Sequence, residues 1–231
     1  MHTKNAIELH FLTKTYQVGG EPLTVLDIQK MTIAQREWVS ITGQSGSGKT
    51  TLLHILGCLD LPTAGTYLLN SVDTTHLTPA TLSKIRNSTI GFIFQRFNLL
   101  ATLTAAENIA LPLRYAGLDP QTIAERLDEM FTLIGLNERR NHYPHQLSGG
   151  QQQRIAIARA LIIKPSLILA DEPTGSLDST TGQEILKFLK MLHSAYPITI
   201  VLITHDPDVA AHGTRVVHIK DGRIFSDTAN L

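Results

Sequence analysis

Residues 147–178 read LSGGQQQRIAIARALIIKPSLILADEPTGSLD. A Ser-Gly-Gly turn opens the stretch, and the residues behind it predict a helix from about Gln151 to Ile163. Leu167–Ala170 is apolar and of strand length, and it ends on two adjacent acids, Asp171 and Glu172, before a second turn from Gly175 to Asp178. Burying a carboxylate beside a sheet is costly unless it is paired or holds a metal. A magnesium nucleotide supplies that reason, so the rest of the chain must provide a phosphate cradle.

That cradle is GQSGSGKTT, residues 43–51. Gly43-x4-Gly48-Lys49-Thr50 fits the phosphate-binding pattern, and Gln44, Ser45, Gly46, Ser47 and Thr51 fill in the loop. The context fits too. Val39–Thr42 reads as a strand running into the loop, and Leu52–Leu59 reads as a helix leaving it. Glycines let backbone N–H groups converge with no Cβ in the way, and a helix N-terminus adds partial positive charge. Lys49 is expected to reach the β- and γ-phosphates and Thr50 to offer its hydroxyl to magnesium.

Around this centre the chain alternates. Ile7–Phe11 and Val25–Ile33 read as strands with a turn at Gly19, Gly20 and Pro22 between them, and Gly65–Asp73 reads as a strand pair. Thr78–Asn87 is expected to be a short helix and Ile90–Phe94 a buried strand ending at Gln95. From 96 to 145 helical patterns dominate, at Thr104–Tyr115 and Pro120–Ile134, the latter behind an Asp119-Pro120 cap. Ser179–Tyr196 reads as a helix, Ile198–Ile203 as a strand, and Val216–Ile219 and Arg223–Phe225 as a hairpin about Asp221-Gly222.

Twenty basic residues balance twenty acidic ones in 231, so no charge footprint for nucleic acid exists and no nucleic-acid partner is expected. Cys58 is the single cysteine, which excludes a disulfide framework. We expect it to be a small buried hydrophobe on a helix. No apolar run reaches the ~18–20 residues that a membrane helix needs, so any work at a membrane is expected to go through a partner chain.

The order of these motifs resembles the ATP-binding-cassette ATPases over nearly the whole chain. The phosphate loop alone indicates a P-loop NTPase; its pairing with Leu147-Ser148-Gly149-Gly150-Gln151 is what marks the family. The resemblance implies an α/β fold: a P-loop NTPase core with a mixed sheet, an antiparallel β arm and an inserted α-helical subdomain. Residues 1–231 then form one nucleotide-binding domain, with core segments 1–95 and 146–231 and the helical subdomain at 96–145. The implied cofactors are ATP and Mg2+. By resemblance, Tyr16 stacks on adenine, and Gln95 touches magnesium and the attacking water. Asp171 holds the metal and Glu172 acts as general base, while His205 contacts the γ-phosphate. Asp178 belongs to a loop that communicates between two ATP sites, and it is also placed to cap the following helix. Ser148, Gly149, Gly150 and Gln151 close on the ATP held by a second copy, so a head-to-tail homodimer is implied.

Phe94–Leu100, Leu103–Asn108, Leu111-Pro112 and Tyr115–Gly117 resemble the macrolide-export and lipoprotein-release branch. That branch pairs the cassette with a transmembrane permease part, fused in some members and expected here to be a separate subunit because the chain stops at Leu231. A periplasmic adaptor is a further partner that the branch allows, and the place implied is the cytoplasmic side of the inner membrane. Phe97, Leu99, Leu100 and Tyr115 are expected to be either a docking groove for that subunit or core of the helical subdomain. The rival readings are a cell-division-type regulatory cassette, an antimicrobial-peptide resistance transporter ATPase and an iron–sulfur assembly cassette.

Overall fold

The computed structural model describes residues 4–230. Its N-terminal arm is antiparallel. β1 (Asn5–Val18) and β2 (Glu21–Ala34) pair along nearly their full length, and β4 (Ala64–Leu69) with β5 (Val72–Asp73) extends the sheet in the order β2-β1-β4-β5. The arm strands run well past the apolar segments at 7–11 and 25–33: beyond buried Leu12 their outer ends mix polar residues with the exposed hydrophobics Tyr16, Val18 and Leu23, so no alternation marks them.

The second sheet is mixed and holds the chemistry. Four of its strands are β3 (Trp38–Thr42), β6 (Ile90–Phe94), β7 (Leu167–Asp171) and β8 (Thr199–Ile203); β9 (Arg215–Lys220) and β10 (Arg223–Ala229) form a hairpin. The order is β10-β9-β3-β8-β7-β6, parallel throughout except at that hairpin. Period-two alternation divides the apolar side chains between two layers. Leu167, Leu169, Val201 and Ile203 face the layer shared with the arm and α1 (Lys49–Leu56). Ile168, Ala170, Ile200 and Leu202 face the other, shared with α5 (Gly149–Leu161) and α6 (Ser179–Ala195).

Caps mark the helix starts. Thr78 caps α2 (Pro79–Thr89), Thr104 caps α3 (Ala105–Tyr115) through a capping box with Glu107, and Asp119 caps α4 (Pro120–Ile134). A short helix, α7 (Pro207–Ala210), follows Asp206. Ala105, Ile109, Leu113, Phe131 and Ile134 of α3 and α4 belong to the same apolar cluster as Ile168 and Ile200, so the inserted helices share the core of the sheet face. Cys58 is buried, as expected, but it is not helical: α1 ends at Leu56, Gly57 caps it, and Cys58 sits at φ 53 in the turn beyond. Burial pushes its thiol up to about 11.

Candidate active site

The phosphate loop leaves β3 at the carboxyl edge of the parallel sheet, where open α/β sheets form their ligand crevices. Gly43, Gly46 and Gly48 have φ of 153, 79 and 101, and Gly48 is the N-cap of α1 in a left-handed conformation. A Cβ on Gly43 would lie 2.2 Å from the carbonyl oxygen of Ile219, so no larger residue fits there. Lys49 Nζ donates to the carbonyl oxygens of Gly43 at 2.8 Å and Gln44 at 2.7 Å, which folds its ammonium back over its own loop. Burial lowers its pKa, and the carboxylates of Glu172 and Asp171 oppose that shift.

A cleft of about 640 Å3 collects Gly43, Gln44, Ser45, Gly46, Gly48, Lys49, Thr50, Thr51, Gln95, Asp171, Glu172 and His205, with Val25 and Ile203 in its wall. Fourteen-residue β2 brings Val25; the ends of β6, β7 and β8 bring the rest of the far wall. Burial raises the pKa of Asp171, and Glu172 beside it adds to the rise. Glu172 takes the left-handed region at φ 45, which costs a non-glycine residue about 1–2 kcal/mol. Three contacts hold it there. Its N–H donates to Ile203 O at 2.9 Å, Thr204 Oγ1 donates to Oε2 at 3.1 Å, and His205 N–H donates to Oε1 at 2.9 Å. The ring Nδ1 of His205 lies 2.5 Å from the same Oε1.

Thr50, Gln95 and Asp171 contribute a hydroxyl, an amide and a carboxylate to one cleft. These are hard oxygen donors of the kind magnesium takes together with waters and phosphate oxygens. Among the described residues no group of three or more His, Cys, Asp or Glu side chains could hold a metal.

Ser148, Gly149, Gly150, Gln151 and Asp178 are not among the residues lining that cleft. Ser148 is the N-cap of α5, and its Oγ accepts from Gln151 N–H at 3.3 Å while Gln151 Oε1 accepts from Ser148 N–H at 3.0 Å. The helix starts at Gly149, two residues before its expected start, because this capping box closes its first turn. Asp178 caps α6 by accepting from Thr181 N–H at 3.0 Å, and the Thr181 side chain helps hold its carboxyl below the usual range. The two helix starts touch: a Cβ on Gly150 would lie 2.5 Å from Thr181 Cγ2, and one on Gly149 3.2 Å from Leu177 Cδ2. Tyr16 lies in β1, 37% exposed, and also outside the cleft lining. Its hydroxyl donates to Asp60 Oδ2 at 2.9 Å, and Lys14 Nζ sits 4.9 Å from the ring centroid.

Three contributors carried no clear signal in the sequence. Thr204 holds Glu172 but reads only as the residue that follows a β-branched strand. Asp60 holds Tyr16 from 44 positions away. Gln153 is fully buried, and its Nε2 donates to Pro173 O at 2.6 Å, which fastens α5 to the acidic turn. Its only trace was a glutamine at the helical spacing of Ile157 and Ala160, on the buried face.

A family model described as ABC transporter matches residues 26–175. The macrolide export ATP-binding/permease protein MacB of Rhodospirillum rubrum is 49% identical over 222 residues, which cover 96% of this chain and 34% of that protein. The MacB protein of Hyphomonas neptunium is 48% identical over 228 residues, 99% of this chain and 35% of that one. The chain thus spans about a third of the length of these relatives. Among solved structures, the dimeric post-hydrolysis state of the ATP-binding cassette MJ0796 bound to ADP and Pi is similar at a TM-score of 0.89 and 44% identity, covering 97% of this chain and 99% of that one. Fold, paired motifs and likeness over nearly the full chain agree: the chain belongs to the ABC transporter family and is its ATPase cassette.

Proposed function

We propose that this cassette binds ATP with magnesium, closes head to tail on a second copy of itself, and couples that closure to a membrane subunit that exports a substrate or releases a lipoprotein, with or without a periplasmic adaptor. One observation carries the reading: the phosphate loop and the acids share a cleft, while the anion-binding turn at Ser148–Gly150 stands outside it at an exposed helix start. Such a turn has work to do if a second chain presents its phosphates to it. The similar solved cassette is described as a dimer, which supports the same arrangement.

In this reading residues 1–95 and 146–231 form the core and 96–145 the helical subdomain. Lys49 exchanges its loop carbonyls for the β- and γ-phosphates. Thr50, Gln95 and Asp171 hold the metal, which when bound neutralises phosphate charge. Glu172 takes the proton of the attacking water on Oε2, which has acceptor capacity beyond its bond from Thr204. His205 orients Glu172 and meets the γ-phosphate; Tyr16 stacks on adenine; Asp178 lies at the junction of the two sites. Phosphoryl transfer to water needs this positioning and charge balance more than covalent help.

The membrane subunit is assigned to a cleft of about 940 Å3 beside β6 and α3. Tyr115, 81% exposed, lines it with Phe92, Phe94 and Arg159. Phe97, Leu99 and Leu100 do not, and Leu99 packs on the core instead. No helix among the described residues is long and apolar enough to cross a membrane, which fits a peripheral cassette on the inner face of the inner membrane.

Complementation between two inactive variants tests the shared site. Ser148→Arg keeps a sound phosphate loop, and Lys49→Ala keeps a sound Ser148 turn. Mixed in equal amounts they form some dimers with one intact site, restoring about a quarter of wild-type ATPase activity for random pairing. A mixture as inactive as its parts refutes the head-to-tail arrangement.

A further inference from the structure

The hairpin turn at Asp221-Gly222 reaches the phosphate loop from the far end of the chain. Gly222 N–H donates to the carbonyl oxygen of Ser47 at 3.1 Å, and Gly222 O accepts from Asp27 N–H at 2.9 Å. Arg223 Nε donates to the Asp27 carboxylate at 3.0 Å and holds the turn against β2. The contact is close on all sides. Gly222 has φ +75, and a Cβ on it would lie 2.4 Å from Val25 O and 3.1 Å from Leu26 Cα. A Cβ on Gly48 would meet the same Val25 O at 2.8 Å and approach Gly222 Cα at 3.6 Å. Two glycines thus meet across β2 with no room for a side chain on either.

This contact has a directional effect. In a planar trans peptide the C=O and the next N–H point in opposite directions. The Ser47 carbonyl is turned toward Gly222, away from the cleft, so the N–H of the same peptide, that of Gly48, is turned toward the cleft that Gly48 lines. Gly48 is free to adopt the φ of 101 that this needs. We propose that Gly222 is a positioning residue for ATP binding: its N–H fixes the Ser47–Gly48 peptide so that the Gly48 amide faces the nucleotide phosphates before they arrive. The inference rests on reading residues 43–51 as the phosphate cradle. Preorganised donors cost no reorganisation when the anion binds, and this one is set by a turn 175 residues away (222 against 47).

Two measurements test it. Gly222→Ala is expected to raise the Kd for ATP by about 10-fold or more, the cost of misdirecting one amide, while circular dichroism shows the native spectrum. Lys49→Ala serves as the reference: if it too leaves the Kd unchanged, the cradle reading fails, whereas weak binding in Lys49→Ala with wild-type binding in Gly222→Ala overturns the role of Gly222 alone. The second measurement needs no variant and decides the matter should Gly222→Ala not fold. In the unaltered protein, hydrogen exchange at the Gly222 amide is expected to slow on adding ATP and magnesium more than exchange at Ile224 of β10. A Gly222 amide that slows no more than Ile224 overturns the proposal, because a purely structural turn responds only to overall stabilisation.

Discussion

Glu172 and His205 are joined twice, since the same carboxylate oxygen accepts the backbone N–H of His205 at 2.9 Å and lies 2.5 Å from its ring Nδ1. The pair bridges the ends of β7 and β8, so the proposed base is positioned by the strand beside its own.

Glu172→Gln preserves the shape of this pair and removes the basic oxygen. Loss of a general base costs about 100-fold or more in kcat, and nucleotide stays bound. Gel filtration with ATP is expected to show a stable dimer with little turnover. A variant that elutes as a monomer and hydrolyses ATP normally contradicts the role of Glu172.

Asp171 gives a prediction of opposite sign for stability and activity. Its pKa is raised by burial and by Glu172, so the folded state binds this proton more tightly than the unfolded chain does. Stability from this group is therefore present at low pH and falls as pH rises from the ordinary aspartate value through the raised one. At neutral pH the apo protein carries the cost of the buried charge. Asp171→Asn is expected to raise the apo melting temperature by about 2–4 °C while abolishing magnesium-dependent ATPase activity; scanning calorimetry at neutral and acidic pH checks both the shift and its disappearance in acid.

Arg159 on α5 donates to the carbonyl oxygens of Asn98 at 2.7 Å and Phe97 at 3.0 Å. Both residues are in the left-handed region, with φ of 49 and 59. The guanidinium holds a strained turn two residues beyond Gln95, and burial lowers its pKa. Arg159→Ala removes two charge-assisted bonds, worth about 2–4 kcal/mol together. A melting temperature lowered by about 4–16 °C follows, measured by calorimetry. Arg159→Lys is expected to recover less than half of the loss, since one ammonium does not match a forked pair of carbonyls.

Tyr16 and Asp60 are expected to act as one unit in ATP affinity. Tyr16→Ala raises the KM for ATP about 10-fold, the scale of one lost stacking partner, with kcat kept. Asp60→Ala raises it less, by freeing the ring, and has no effect in a Tyr16→Ala background. Additive effects in that double-mutant cycle, read from steady-state kinetics, refute the coupling.

The candidate residues of the site were legible because each carries its own pattern. Glycines spaced about Lys49, acids at the end of an apolar strand and Ser148 before two glycines are local signals. Helix starts were read to within a residue where Thr104, Asp119 and Asp178 cap them. The start of α5 was misread because a Ser-Gly-Gly turn resembles a loop until the Gln151 side chain is seen closing on Ser148. The residues that hold the site were not legible: Thr204, Gln153, Asp60 and Gly222 act through partners 32 or more positions away or through an ordinary polar side chain on a buried face, and spacing carries no trace of such contacts. The four hydrophobes at 97–115 show the same limit, since apolar character alone did not separate Tyr115, at the surface, from Leu99, on the core.

The sheet order also has a consequence for how the protein is made. β3, which carries the phosphate loop, lies between β8 and β9, strands that leave the ribosome more than 150 residues after it (199 against 42). Contacts of such long sequence separation are the slow ones to form. The arm hairpin of β1 and β2 and the helix pair α3 and α4 can assemble from neighbours in the chain, but β3 has no flanking strand until β8, Thr199–Ile203, is synthesised. The nascent chain therefore carries its phosphate-loop sequence long before the strands that flank it exist, and ATP can stabilise only the fold in which they have paired.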